Sequence, residues 1–142
     1  MYAKDYARAY RANSILTASP GQLVLMLFDG ALNALAIART ACDDTSGDPR
    51  RVEIVHVQLT KAQKIIAELQ GTLNLEAGGE FARTMYGLYD YYDRRLMEAN
   101  LRKQSAPIAE VERLMGEVRN AWSEMLNEKD KAAPAPTLHQ VA

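Results

Sequence analysis

Apolar residues recur along this chain with the spacing of helical stripes, and glycine, proline and short polar clusters separate the stripes. Between about Arg51 and Leu73 the apolar positions are Val55, Leu59, Ala62, Ile66, Leu69 and Leu73, stepping alternately by four and three. That rhythm keeps one face of a helix turned to a core, as bundle helices do. From about Glu80 to Leu101 a second stripe reads Phe81, Met85, Leu88, Tyr92, Leu96 and Ala99. From about Pro107 to Leu126 a third reads Ile108, Val111, Met115, Val118, Trp122 and Met125. Upstream, Ser19-Pro20-Gly21-Gln22 is a helix start. Serine is a good N-cap, proline suits the first helical position, and glutamine three residues on completes a capping box. A helix over about 19–41 follows, with Leu27, Ala31, Ala34, Leu35, Ala38 and Cys42 as its inward stripe.

The breaks fall at Asp43 to Pro49, at Asn74 to Gly79 with its Gly78-Gly79 hinge, and at Ser105-Ala106-Pro107. Loops this short make successive helices antiparallel. The pattern predicts an all-α protein: an antiparallel up-down four-helix bundle over 19–127. Residues 1–18 form an N-terminal arm or cap. Residues 128–142, with Ala-Ala-Pro-Ala-Pro, lack periodicity and read as a disordered C-terminal tail.

The first helix has more apolar surface than one stripe needs. Leu23, Val24, Leu25, Met26, Phe28, Leu32 and Ile37 spread over its other faces, and a helix apolar nearly all round is covered by something. The third helix carries a second stripe of Ala82, Tyr86, Tyr89 and Met97. Three covers fit this surplus. The helices can simply be well buried in their own bundle. The arm, with Tyr2, Tyr6 and Tyr10 four residues apart and then Ile15 and Leu16, can lie over them. A partner chain can dock there, since Tyr and Met suit adaptable contact with an amphipathic segment. The helical faces give Leu23, Leu25, Met26, Phe28, Tyr86 and Tyr89 as the groove, with Tyr6, Tyr10, Ile15 and Leu16 as the cap.

Composition narrows the function classes. The 142 residues suit one domain, and the formal net charge of −1 gives no global attraction to nucleic acid or an anionic membrane. One cysteine, Cys42, excludes an intramolecular disulfide. The start of the chain lacks a secretory h-region, and the longest uninterrupted apolar run, Leu23 to Phe28, is far short of a bilayer span. The reading is a cytoplasmic chain with no stable membrane insertion.

Catalytic patterns are incomplete. Glu53-x-x-His56 has the spacing of one half of a di-metal bundle site, but the only other histidine is His139 in the tail. Gly78-Gly79 lacks the strand and lysine of a phosphate loop. Asp90 and Asp93, one turn apart, have no second acidic cluster and are followed by Arg94 and Arg95. Asp29 and Asp90 read as hydrogen-bond acceptors near helix packing sites. No enzyme, cofactor or metal is expected.

Several stretches, in order, resemble the FliS family of flagellar export chaperones. They are Thr17 to Ala31 (TASPGQLVLMLFDGA), Lys61 to Leu69 (KAQKIIAEL), Leu73-Asn74, Gly78-Gly79-Glu80, Leu88 to Tyr91, Arg95-Leu96, Glu98 to Asn100, Val118-Arg119 and Trp122. The opening Met1-Tyr2 and the tyrosine-bearing arm fit as well, so the resemblance covers about residues 1–126. It implies a cytosolic chaperone that binds the disordered C-terminal segment of flagellin and prevents premature polymerisation. It further implies that the client displaces the arm and is delivered to the flagellar type III export apparatus, making export-gate components further partners. The free protein would be a monomer or weak homodimer. A helical adaptor for a different client is the alternative; a metal-dependent bundle enzyme and self-association through the groove compete with it.

Overall fold

The computed structural model describes residues 18–132, which form four helices. These are α1 (Pro20–Asp43), α2 (Arg51–Gly71), α3 (Gly79–Arg102) and α4 (Ala106–Ala132). Each helix packs on its sequence neighbours and α1 packs on α4, which closes the ring of a four-helix bundle. The cross-links run in opposite directions along each pair. Trp122, Arg119 and Glu112 of α4 meet Gly21, Asp29 and Arg39 of α1 in that order. Likewise His56, Gln63 and Gln70 of α2 meet Asn100, Asp93 and Asp90 of α3. Neighbours are therefore antiparallel, as the short loops require.

The start of α1 follows from its cap. The Gln22 backbone N–H donates to Ser19 Oγ at 3.2 Å, and Pro20 occupies the first turn. At the end of α3, Lys103 adopts the left-handed conformation (φ 52°), and the N–H groups of Lys103 and Gln104 both reach the Ala99 carbonyl. That arrangement satisfies carbonyl capacity that a helix end otherwise leaves open.

The core is apolar throughout. Val55, Leu59, Ala62, Ile66 and Leu69 of α2 are all buried, as their stripe predicts. In α1 and α3 the expected stripe is buried except at three positions, where the neighbouring residue takes the inward place. Phe28, not Leu27, opens the buried row of α1, and Ala82 and Tyr89 take the places expected for Phe81 and Leu88. Adjacent apolar pairs leave the helical phase open. It is set by the neighbours: Asp90 and Asp93 of α3 must face α2 while Tyr91 and Arg95 face α4, and the core row lies between them.

Two further differences concern α1 and α4. By length and composition α1 is apolar enough to cross a membrane, yet one of its faces forms the bundle core. The last helix continues to Ala132, through residues 128–132 that the sequence reading assigned to a tail. Glu, Lys and Ala there favour helix, and the first breaker is Pro134.

Candidate protein-docking surface

Burial is uneven along the bundle. Among the described residues, none of α4 beyond Met115 is buried, and none of α1 before Phe28. Both segments lie at the end where α1 starts and α4 finishes. There Leu23, Val24, Leu25, Val118 and Trp122 are only half-buried. Met26 is 37% exposed, Tyr86 40%, Met125 46% and Phe81 63%. Apolar surface is thus open at this end, as a protein-docking surface requires, and Ile37, Val52, Val57, Met97 and Leu101 are exposed toward the opposite end.

Polar contacts hold the helices that frame this end. The Trp122 indole Nε1 donates to the Gly21 carbonyl at 2.9 Å, and a Cβ on Gly21 would meet Leu126 at 2.7 Å. Glycine therefore lets α1 and α4 approach closely. One turn further along, Arg119 reaches both carboxylate oxygens of Asp29, at 2.8 and 3.3 Å. On the other side, Gln70 Nε2 donates to Asp90 at 2.8 Å and to the Tyr86 carbonyl at 3.1 Å. Asp29 and Asp90 are thus acceptors that tie helices together. The α3–α4 pair is tied at the opposite half: Tyr91 Oη and Arg95 Nε both donate to Glu110 at 2.8 Å. The Tyr91 hydroxyl, then the Arg95 guanidinium, hold the Glu110 carboxyl below its ordinary range.

The expected groove residues divide. Met26 and Tyr86 are exposed, and Leu23 and Leu25 are half-buried. Phe28 and Tyr89 are a correction: at 1% and 4% exposure they belong to the core. Their rings pack 6.4 Å apart, and Tyr89 packs edge-on against Tyr92 at 6.1 Å. Burial pushes the Tyr89 phenol up to about 12. Helical phase is the reason, since both sit on the inward row rather than beside it. Tyr6, Tyr10, Ile15 and Leu16 lie outside the described residues. Phe81 and Met125, read from the sequence as core, are exposed instead. The missed signal is their place in the last turns of their stripes, where neighbouring helices no longer cover them.

A second exposed apolar patch lies at the opposite end. Met97 and Leu101 of α3, with His56 and Gln63 of α2, line a shallow hollow of about 290 Å³. Glu53 and His56 both face solvent, and His56 Nδ1 lies 3.0 Å from Asn100 Nδ2. Among the described residues no three His, Cys, Asp or Glu side chains are gathered to hold a metal.

Residues 2–129 match the family described as "Flagellar protein FliS". A Bacillus subtilis (strain 168) protein named flagellar secretion chaperone FliS is 37% identical over 123 residues, spanning 87% of this chain and 87% of its own. Its namesake from Salmonella typhimurium (strain LT2) is 42% identical over 123 residues, spanning 86% and 87%. The Escherichia coli (strain K12) protein of that name is 37% identical over 131 residues, spanning 89% and 93%.

Proposed function

Because the chain belongs to the FliS family of flagellar secretion chaperones, we propose that it binds the C-terminal segment of flagellin in the cytosol. It is a flagellar export chaperone and not an enzyme. In this reading the bound segment is kept from polymerising and is handed to the flagellar type III export apparatus for filament assembly.

The observation that carries the reading is the apolar surface at the end framed by α1 and α4. Met26, Phe81, Tyr86 and Met125 are exposed there on a scaffold tied together by Trp122, Arg119 and Gln70. A client disordered when free gains order as it buries apolar area on such a surface. The area is on the order of 1,000–3,000 Å², and it must offset several kcal/mol of ordering cost. The arm joins α1 at this same end, so Tyr6, Tyr10, Ile15 and Leu16 are proposed to cover the surface until the client displaces them.

Filament growth tests the proposal. Purified chaperone added at equal molar amount to monomeric cognate flagellin should stop seeded polymerisation. It should leave a flagellin lacking its C-terminal segment unbound. Unchanged growth at a large excess of folded chaperone would overturn the reading.

A further inference from the structure

We propose that residues 137–142 of the chain itself dock in the cleft between the start of α3 and the end of α4, anchored by Leu138 and Val141, and that a client must displace them. Docking is a property of this chain alone; displacement by a client rests on the flagellin-binding reading.

The cleft follows from helical phase. Tyr91 and Arg95 mark the α3 row that faces α4, and both donate to Glu110 on the α4 row that faces α3. Near Glu110 these rows are in contact, and Leu88 and Leu114 are packed against the core. Followed to the start of α3, the first row leads to Phe81, on the side next to the core. Followed to the end of α4, the second leads through Ala121 and Met125 to Ala132. Phe81, Ala121 and Met125 are all exposed. Among the described residues no hydrogen bond or ion pair spans the two helices there. The described helices thus leave an apolar floor uncovered.

The place where the chain leaves α4 points to the occupant. Helix α4 runs on to Ala132, on the row that borders the cleft, and Pro134 cannot continue it. Counted from the Glu110 contacts, Phe81 stands level with about residues 120–124 of α4. A chain that reverses after Ala132 must therefore run back about 12–18 Å, at about 1.5 Å per helical residue. Residues 133–138, extended, span about 19–20 Å, which delivers Leu138 to Met125 and Phe81. Leu138 and Val141 stand three apart, the spacing of one face of a helical turn. Charge agrees. The edges of the cleft carry Glu80, Glu124 and Glu128 together with Lys129 and Lys131, so neither sign of ligand is favoured. From Ala133 to Ala142 there is no Asp, Glu, Lys or Arg, so this segment brings no formal charge to desolvate on the floor. The arm, by contrast, carries Lys4, Asp5, Arg8 and Arg11 and joins α1, which packs on another face of α4. A short tether raises the effective concentration of the segment to the order of millimolar, so two apolar anchors suffice for a cover that a client can lift.

The first test needs no flagellin. A nitroxide is attached to Gln140→Cys in the full-length chain, with Cys42→Ala removing the one native thiol. Backbone amide signals around Phe81 and Met125 should be broadened, and adding L138S/V141S should relieve most of that broadening. Absence of broadening there, or broadening that L138S/V141S leaves unchanged, would overturn docking in the cleft. Equal broadening of unlabelled protein mixed with labelled protein would place the segment on a second copy and overturn it as well. The second test is affinity for monomeric cognate flagellin. L138S/V141S without the label should bind about threefold more tightly, as expected when the open form is about a third of the population. Unchanged affinity would overturn displacement by the client. Failure of the wild type itself to bind would overturn the flagellin-binding reading, while docking of the segment would still stand or fall on the broadening.

Discussion

Replacing Phe28 with alanine separates core from docking surface. The ring is 1% exposed, packs on Tyr89 and belongs to the cluster that includes Leu35, Leu59 and Tyr92. Truncating a fully buried phenylalanine costs about 3–5 kcal/mol, because lost transfer energy and an incompletely collapsed cavity add. For a chain of this size each kcal/mol lowers the melting temperature by about 3–5 °C, so a fall of about 10–20 °C is expected. Phe81→Ala provides the contrast, with a stability change within about 0.5 kcal/mol. Thermal unfolding followed by helical circular dichroism reads both, and flagellin affinity is then measured on each variant well below its melting temperature. A Phe28→Ala protein within about 1 kcal/mol of wild type, combined with selective loss of flagellin binding, would refute the reasoning. It would return Phe28 to the docking surface.

Gly78→Ala should destabilise by about 1–3 kcal/mol, read from the denaturant midpoint. An added Cβ would lie 2.6 Å from the Asn74 carbonyl oxygen and 2.6 Å from the Ala82 Cβ. Gly71→Ala, with nothing within 4 Å, should not destabilise. Trp122→Phe removes the donor to the Gly21 carbonyl and should cost about 1 kcal/mol, with earlier hydrogen exchange in the first turn of α1; unchanged exchange there would count against the tie. Glu110 has its folded pKa held below the ordinary 4.5, so its contribution is complete above that value and is lost as pH falls through the lower folded one. Glu110→Gln should therefore flatten the acid limb of the stability profile, and identical acid limbs would show that the Tyr91–Arg95 contact contributes nothing.

The four helices and the whole α2 stripe were legible in the sequence because Val55 through Leu69 repeat with a single consistent phase. Most of the inward rows of α1 and α3 was legible too, but three positions were not, because Leu27 beside Phe28, Phe81 beside Ala82 and Leu88 beside Tyr89 offer two apolar choices. Partner helices decide between such rows, and their contacts are long-range: Arg119, which fixes the α1 face by holding Asp29, lies 90 positions along the chain. The surplus of apolar surface could be counted from the sequence, but not which of its residues end up exposed at the end framed by α1 and α4. That depends on where Phe81 and Met125 fall relative to the last covering turn. The continuation of α4 to Ala132 was missed because its final turns are polar, and periodicity gives no signal for a helix that extends past its core.

The most direct test is calorimetric titration of the full-length protein with the C-terminal segment of its cognate flagellin, at two temperatures. Near-stoichiometric binding, a negative heat-capacity change and a gain in helical circular dichroism are expected from coupled folding on an apolar surface. No heat and no helical gain, with the bundle shown folded in the same sample, would contradict flagellin binding at this surface.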